Sequence, residues 1–205
     1  RDPTLRGLLL PASVGGADAN IATLLAGRIP VNLNFTAGAE AIDAAKTAAG
    51  IRTVITSRRF IDKAGLPPSD DMVFLEDLRS TFGTSARLRA LATARLWPAR
   101  ALAARHPGRP PQQRDPAAMI FSSGSTGIPK GVVLTHGNLL SNVDSLTQVF
   151  HMREDDCFIG VLPFFHSFGL TGTLWFPLLT GCSVVYHPNP MDAKTVGELA
   201  EQYRG

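Results

Sequence analysis

The sequence predicts an α/β fold made of parallel βαβ layers. Two observations predict it. Short β-rich apolar runs recur along the first third of the 205-residue chain, separated by stretches of helical composition that close at glycine. Strands spaced by helices of about 10 to 15 residues form parallel crossover units. Further along, a strand, a loop dense in glycine and hydroxyls, a second strand and a helix follow one another.

Leu8-Leu9-Leu10, ended by Pro11, reads as the first strand. Val14 to Ala26 is rich in Ala and Leu and closes at Gly27, as a helix does. Pro30 to Leu33 is short and extended, and Ala39 to Ala49 gives a second helix closing at Gly50. Arg52 to Thr56 and Met72 to Leu75 supply two more strands. Between Ser85 and His106 the pattern becomes helical, with Leu88, Leu91, Ala99 and Leu102 on one face and Arg87, Arg89, Arg100 and Arg105 flanking it. Arg95 falls within that apolar face, and Pro98 kinks or splits the helix. Pro107 to Gln113 reads as an exposed linker. A second block then runs through a strand (Ala117 to Phe121), a loop (Ser122 to Lys130), a strand (Val132 to Thr135) and a helix from about Asn138 to Phe150. The expected division is a first α/β block at 1–106, a linker at 107–116 and a second block at 117–205.

Composition excludes several classes. With 44% hydrophobic and 18% charged residues, the chain is less charged than the usual domain at about 25%, yet it is not disordered. Its length allows burial of roughly 70% of the unfolded surface. Two cysteines, Cys157 and Cys182, make no disulfide scaffold and suit a reducing compartment. They read as small buried hydrophobes. The Cys/His spacing of a structural zinc site is absent. Arg1-Asp2-Pro3 lacks both an initiator Met and a signal peptide, so the chain reads as a piece of something longer. From Cys157 to Met191 there is no Asp, Glu, Lys or Arg, but Pro163, Pro177 and four glycines interrupt the run. A bilayer helix needs about 20 continuous apolar residues; a buried strand–helix–strand fits better.

The chemistry concentrates in Ser122-Ser123-Gly124-Ser125-Thr126-Gly127-Ile128-Pro129-Lys130-Gly131. Gly124 and Gly127 let the backbone turn so that successive N–H groups converge on an anion. Ser122, Ser123, Ser125 and Thr126 add neutral donors. Lys130 supplies a point charge that stabilises phosphate charge developing during bond breaking. The Walker A pattern does not fit, because the two glycines are three apart and Gly131 follows Lys130.

This run, followed by Val132-Val133-Leu134-Thr135-His136, resembles the phosphate-loop signature of the adenylate-forming superfamily of acyl-CoA synthetases, peptide-synthetase adenylation domains and luciferases. Leu162-Pro163-Phe164-Phe165-His166-Ser167-Phe168-Gly169 is similar to a second motif of that superfamily. The resemblance implies the N-terminal part of a large adenylation domain. It implies that Ser122, Ser123, Gly124, Ser125, Thr126, Gly127 and Lys130 hold the phosphates of ATP, with Lys130 and Thr126 catalytic. It places His166, Phe165 and Gly169 at the acyl substrate pocket. Mg²⁺ accompanies the nucleotide, with no ligand identifiable in this chain.

A narrower similarity covers Pro11 to Gly16, Gly27 to Asn34, Ile51 to Phe60 and Phe165 to Pro190. It is to the acyl-[acyl carrier protein] synthetase half of bifunctional enzymes that re-acylate 2-acylglycerophosphoethanolamine. That similarity implies a fatty acid substrate, an acyl carrier protein as thiol acceptor, and work at the inner face of the bacterial plasma membrane. It also puts an acyltransferase half upstream of Arg1, and the later catalytic motifs beyond Gly205. The alternatives are a fatty acyl-CoA synthetase and, from another class, a non-catalytic membrane-surface module.

Other residues carry blander readings. His151 with Asp156, and His187 with Asp192, match the H-x4-D spacing of glycerolipid acyltransferases, but neither histidine follows an Asn. His136 belongs to a helix start, and no G-x-S-x-G occurs. Between Leu78 and Arg114 there are eight Arg and no Asp or Glu, in a chain of net charge +3. That stretch reads as a solvated helix face, or as a contact for anionic lipid or an acidic carrier protein. Without aromatic interleaving it does not read as a nucleic-acid site.

Overall fold

Strand β1 (Leu5–Leu8) lies upstream of the expected Leu8–Leu10 run. The computed structural model describes residues 4–104, 110–122 and 129–203, and in it Leu5 to Leu8 make the ladder while Leu9 and Leu10 follow as buried coil. Helix α1 (Val14–Leu25) is capped by Ser13, whose hydroxyl accepts from the Gly16 N–H at 3.1 Å. Then come β2 (Ile29–Asn32), a 3₁₀ turn (Phe35–Ala37) and α2 (Ala39–Ala49). Gly50 closes α2 in the left-handed region at φ 67°, as its sequence position implies. Next are β3 (Val54–Thr56), α3 (Arg58–Ala64), β4 (Met72–Phe74) and α4 (Leu75–Thr81). The arginine-rich helix does split at Pro98, into α5 (Thr84–Leu96) and α6 (Ala99–Ala103).

The second block contributes β5 (Pro116–Ser122), β6 (Lys130–Thr135) and α7 (His136–Val149). A single six-stranded sheet results, ordered β4-β3-β1-β2-β5-β6. All neighbours are parallel except β5 and β6, which pair antiparallel. The all-parallel expectation therefore holds up to the edge strand. The connection over residues 123–129 is too short for the dozen or more residues a crossover needs, so the chain must return as a hairpin.

Apolar clusters on the two faces make three layers. On one face Leu9, Val31, Leu33, Ile42, Val54 and Ile61 join the sheet to α2 and α3. On the other, Ala117, Ala118 and Ile120 pack with Leu139, Val143, Phe164 and Trp175. Full burial of each large side chain is worth about 1.5–3 kcal/mol. A reciprocal amide pair ties α1 to β2: Asn20 Nδ2 donates to Asn32 Oδ1 at 3.1 Å, and Asn32 Nδ2 to Asn20 Oδ1 at 2.8 Å, both side chains buried.

The uncharged stretch is indeed strand–helix–strand. β7 (Cys157–Gly160) leads to a continuous helical run of α8 (Ser167–Leu170), a π-helical segment (Thr171–Trp175) and α9 (Phe176–Thr180). The chain returns as β8 (Ser183–Tyr186), parallel to β7, and ends in α10 (Ala193–Tyr203). Among the described residues, no helix is long and apolar enough to cross a membrane. Cys157 and Cys182 are half-buried rather than fully enclosed.

Candidate functional site

β5 and β6 form the stem on which the Gly/Ser/Thr loop is mounted. Ala117 and Ala118 are fully buried in β5, which anchors that strand between β2 and β6. Ser122 and Lys130 face each other at the open end of the hairpin, with the Ser122 hydroxyl 3.5 Å from the Lys130 carbonyl. Both are exposed, and among the described residues Lys130 makes no ion pair. Ser123, Gly124, Ser125, Thr126 and Gly127, the remaining residues of the expected phosphate loop, lie outside the described residues. At the far end of β6 a capping box starts α7: the Thr135 hydroxyl accepts from the Asn138 N–H, and Asn138 Oδ1 accepts from the Thr135 N–H, each at 3.1 Å. His136 is the first residue of that helix, as expected.

The second motif supports the same edge of the sheet. Phe164 is 1% exposed and edge-on to Tyr186 at 5.5 Å. It also packs against Gly16 of α1, where an added Cβ would lie 3.1 Å from the Phe164 ring and 2.5 Å from the Pro11 carbonyl oxygen. Phe165 is buried, its ring perpendicular to that of Phe35 at 4.9 Å; Phe35 in turn meets Phe60 at 5.0 Å. Phe35 follows the carboxyl end of β2, and Asn32 of β2 is in register with Ile120 of β5. Phe165 therefore reaches the sheet edge from which the Ser122–Lys130 loop leaves. Open α/β sheets bind ligands at this carboxyl edge.

His166 caps α8 and is exposed, with its ring 4.8 Å from that of Phe165. Its N–H donates to the Pro163 carbonyl at 3.1 Å, and its carbonyl accepts from the Leu170 N–H at 2.8 Å. No contact among the described residues joins His166 to Lys130. Gly169 is buried, and a Cβ there would lie 2.1 Å from the Pro163 carbonyl oxygen. Its role is close backbone approach, which holds the Pro163–His166 turn onto α8.

Two features of this region were not visible in the sequence. The π-helical segment is one; such turns break the regular ladder and recur at functional sites. Tyr186 stabilises it, donating to the Thr173 carbonyl at 2.9 Å. Burial and the charge of Asp18 push the Tyr186 phenol up to about 12. The other feature is an apolar cavity of about 240 Å³ whose lining includes Phe150, Met152, Phe158, Leu162, Phe168 and Phe176. Phe168 and Leu162 belong to the second motif, so the cavity adjoins the turn that carries His166. The phenylalanine density of 150–176 was the available signal.

Neither H-x4-D pair forms an imidazole–carboxylate hydrogen bond among the described residues. His187 Nε2 lies 3.4 Å from Asp192 Oδ2 without hydrogen-bond geometry. Asp192 Oδ1 accepts from the Thr195 N–H at 3.2 Å at the start of α10, and Thr195 and then His187 hold its carboxyl below the usual range. Asp156 Oδ2 accepts from the Arg153 N–H in a turn. Among the described residues no group of three or more His, Cys, Asp or Glu could hold a metal ion.

The layered α/β sheet thus carries the Ser122–Lys130 hairpin stem at its carboxyl edge, and the apolar cavity adjoins the turn of the second motif. The family model described as AMP-binding enzyme matches residues 7–204, and the chain belongs to that family. Among curated proteins it is 30% identical over 187 residues to 4-coumarate–CoA ligase 5 of Oryza sativa subsp. japonica, covering 87% of this chain and 32% of the ligase. It is 38% identical over 94 residues to 4-coumarate-CoA ligase 1 of Narcissus pseudonarcissus, covering 44% and 17%. Among solved structures, O-succinylbenzoate coenzyme A synthetase from Bacillus subtilis in complex with AMP superposes with a TM-score of 0.76 at 21% identity, over 99% of this chain and 48% of that one. The inhibitor-bound N-terminal domain of FACL13 from Mycobacterium tuberculosis gives 0.73 at 25%, over 98% and 48%. The chain thus spans about half the length of these structures and a third or less of the ligases.

Proposed function

We propose that the protein adenylates a fatty acid with ATP and passes the acyl group to the thiol of an acyl carrier protein. Membership of the AMP-binding family supports the first step, and the exposed Lys130 at the mouth of the hairpin is the observation that carries it. A carboxylate oxygen attacks the α-phosphorus of ATP, the bond to the β-phosphate oxygen breaks, and pyrophosphate leaves. Charge builds on the departing oxygens. An ammonium group with no carboxylate partner among the described residues is available to stabilise that charge, and backbone and hydroxyl donors of residues 122–127 would share the task. The thiol sulfur then attacks the acyl carbon, releasing AMP and the thiol proton.

The cavity lined by Phe150, Phe158 and Phe168 supports an apolar tail on the acid, because its walls offer dispersion contacts and almost no hydrogen bonds. His166, at the head of α8, would meet the carboxylate end. The carrier-protein acceptor rests on the subgroup similarity alone. Coenzyme A is the second reading, favoured by relatives whose names are those of CoA ligases.

ATP–pyrophosphate exchange by the full-length protein, driven by fatty acids and by aromatic acids in parallel, tests the proposal. Lys130→Ala is expected to slow exchange by about 10²–10³-fold with unchanged thermal stability, since its side chain is exposed. Exchange at the wild-type rate removes Lys130 from the chemistry. Competition between carrier protein and coenzyme A for the acyl group decides the acceptor.

A further inference from the structure

The helical run after the second motif is interrupted by its own sequence. In a regular α-helix the Thr173 carbonyl would accept from the N–H of residue 177. That residue is Pro177, which has no N–H and whose ring crowds the carbonyl four residues before it. The ladder changes register here: the Phe176 N–H donates to the Thr171 carbonyl, five residues back, and Thr171–Trp175 is π-helical. The Thr173 hydroxyl turns back to donate to the Gly169 carbonyl at 2.7 Å. The Thr173 carbonyl is met from β8, by the Tyr186 hydroxyl at 2.9 Å. Burial and the charge of Asp18 push the phenol up to about 12, so it remains a donor at neutral pH. The ring is itself held in place. Phe164 stands edge-on to it at 5.5 Å, and a Cβ on Gly160, its register partner in β7, would lie 2.7 Å from a ring carbon.

Gly172 and Thr173 line the apolar cavity, whereas Tyr186 is not among its lining residues. The phenol thus satisfies a wall carbonyl from behind the wall. We propose that Tyr186 is a positioning residue for acyl-chain selectivity: by occupying the Thr173 carbonyl it keeps the cavity wall free of an unpaired acceptor, and a long methylene chain can pack against it. The inference rests on the reading that this cavity takes the tail of the acid. Without the phenol hydroxyl the carbonyl would be left to water, and an apolar tail displacing that water would return no hydrogen bond. A short acid carries too little tail to displace it.

Calorimetric titration of the full-length protein with dodecanoate and with butanoate, and pyrophosphate exchange driven by each, test the inference. Tyr186→Phe keeps the ring and removes only the donor. It is expected to lower the dodecanoate-to-butanoate ratio about tenfold, in affinity and in kcat/KM. The change should fall on KM rather than kcat, as loss of uniform binding does. Pro177→Ala returns an N–H to the helix and gives the Thr173 carbonyl a second donor. In that background Tyr186→Phe should move the ratio by less than about twofold, because the two changes share one acceptor. A merely structural role for Tyr186 would lower the melting temperature and weaken both acids alike. Wild-type protein that binds no dodecanoate overturns the fatty-acid reading and the inference with it. If wild type binds dodecanoate, an unchanged ratio in Tyr186→Phe, or an equal fall with and without Pro177→Ala, overturns the inference alone.

Discussion

Replacing Gly169 with alanine should dismantle the turn that presents His166. The added methyl would lie 2.1 Å from the Pro163 carbonyl oxygen, 2.9 Å from its carbon and 3.0 Å from the Leu162 oxygen, whereas ordinary contact begins at 3.4 Å. All three are backbone atoms, so no rotamer change can relieve the overlap, and the turn must move by more than about 1 Å. Overpacking of this kind costs about 1–3 kcal/mol. The same carbonyl accepts the His166 N–H at 3.1 Å, and losing that bond adds about 1 kcal/mol. Urea denaturation of the full-length protein followed by the buried Trp175 reads the stability, and fatty-acid-dependent pyrophosphate exchange reads the site. Gly172→Ala is the internal control. Its methyl meets only the Phe168 ring, at 3.3 Å, and a side chain on the cavity wall can swing away. The expected order of damage is Gly169→Ala well above Gly172→Ala in both assays. Equal stability and equal exchange in the two variants would refute the close-approach argument.

Two further outcomes follow from buried polar groups. Asn20→Ala strands the amide of Asn32, itself 4% exposed, at a cost of about 1–3 kcal/mol; Asn20→Leu with Asn32→Val should recover part of that loss, and a chemical-denaturation double-mutant cycle measures the coupling. Tyr186 has its phenol raised from 10.0 to about 12, so its stabilising contribution is complete below pH 10 and drains away as pH climbs toward 12. Tyr186→Phe should remove that alkaline dependence from a pH series of melting temperatures, while lowering stability at neutral pH by about 1 kcal/mol through loss of the bond to Thr173.

The βα rhythm of the first third was legible because each helix closes at a glycine and each apolar run is bounded by turn residues. The limits of β1 are hidden for a local reason: Leu8-Leu9-Leu10 is uniformly apolar, and only pairing with Ile29 to Asn32 and with Val54 and Ile55 shows that Leu5 to Leu8 make the ladder. The orientation of β6 follows from connection length rather than from composition. The π-helical segment and the Asn20–Asn32 pair depend on partners far away in the chain, so periodicity cannot reveal them. Leu88 and Leu91 do share a face as read, but both side chains are exposed. For the candidate site, residue types and order single out Lys130 and His166 without saying how they are supported. Phe165, expected at the acyl pocket, is seen packed on Phe35, and Gly169 is seen serving backbone approach.

The ring stack Phe60–Phe35–Phe165–His166 has a consequence for grafting. Two of its members come from the first block and two from the second, and each leans edge-on or tilted against the next. A chimera joined anywhere in 107–116 would inherit half a stack from each parent. Only parents that share aromatic girth at positions 35, 60 and 165 would yield offspring with a properly aimed imidazole, so the proline-rich seam is a poor crossover point for recombining such enzymes.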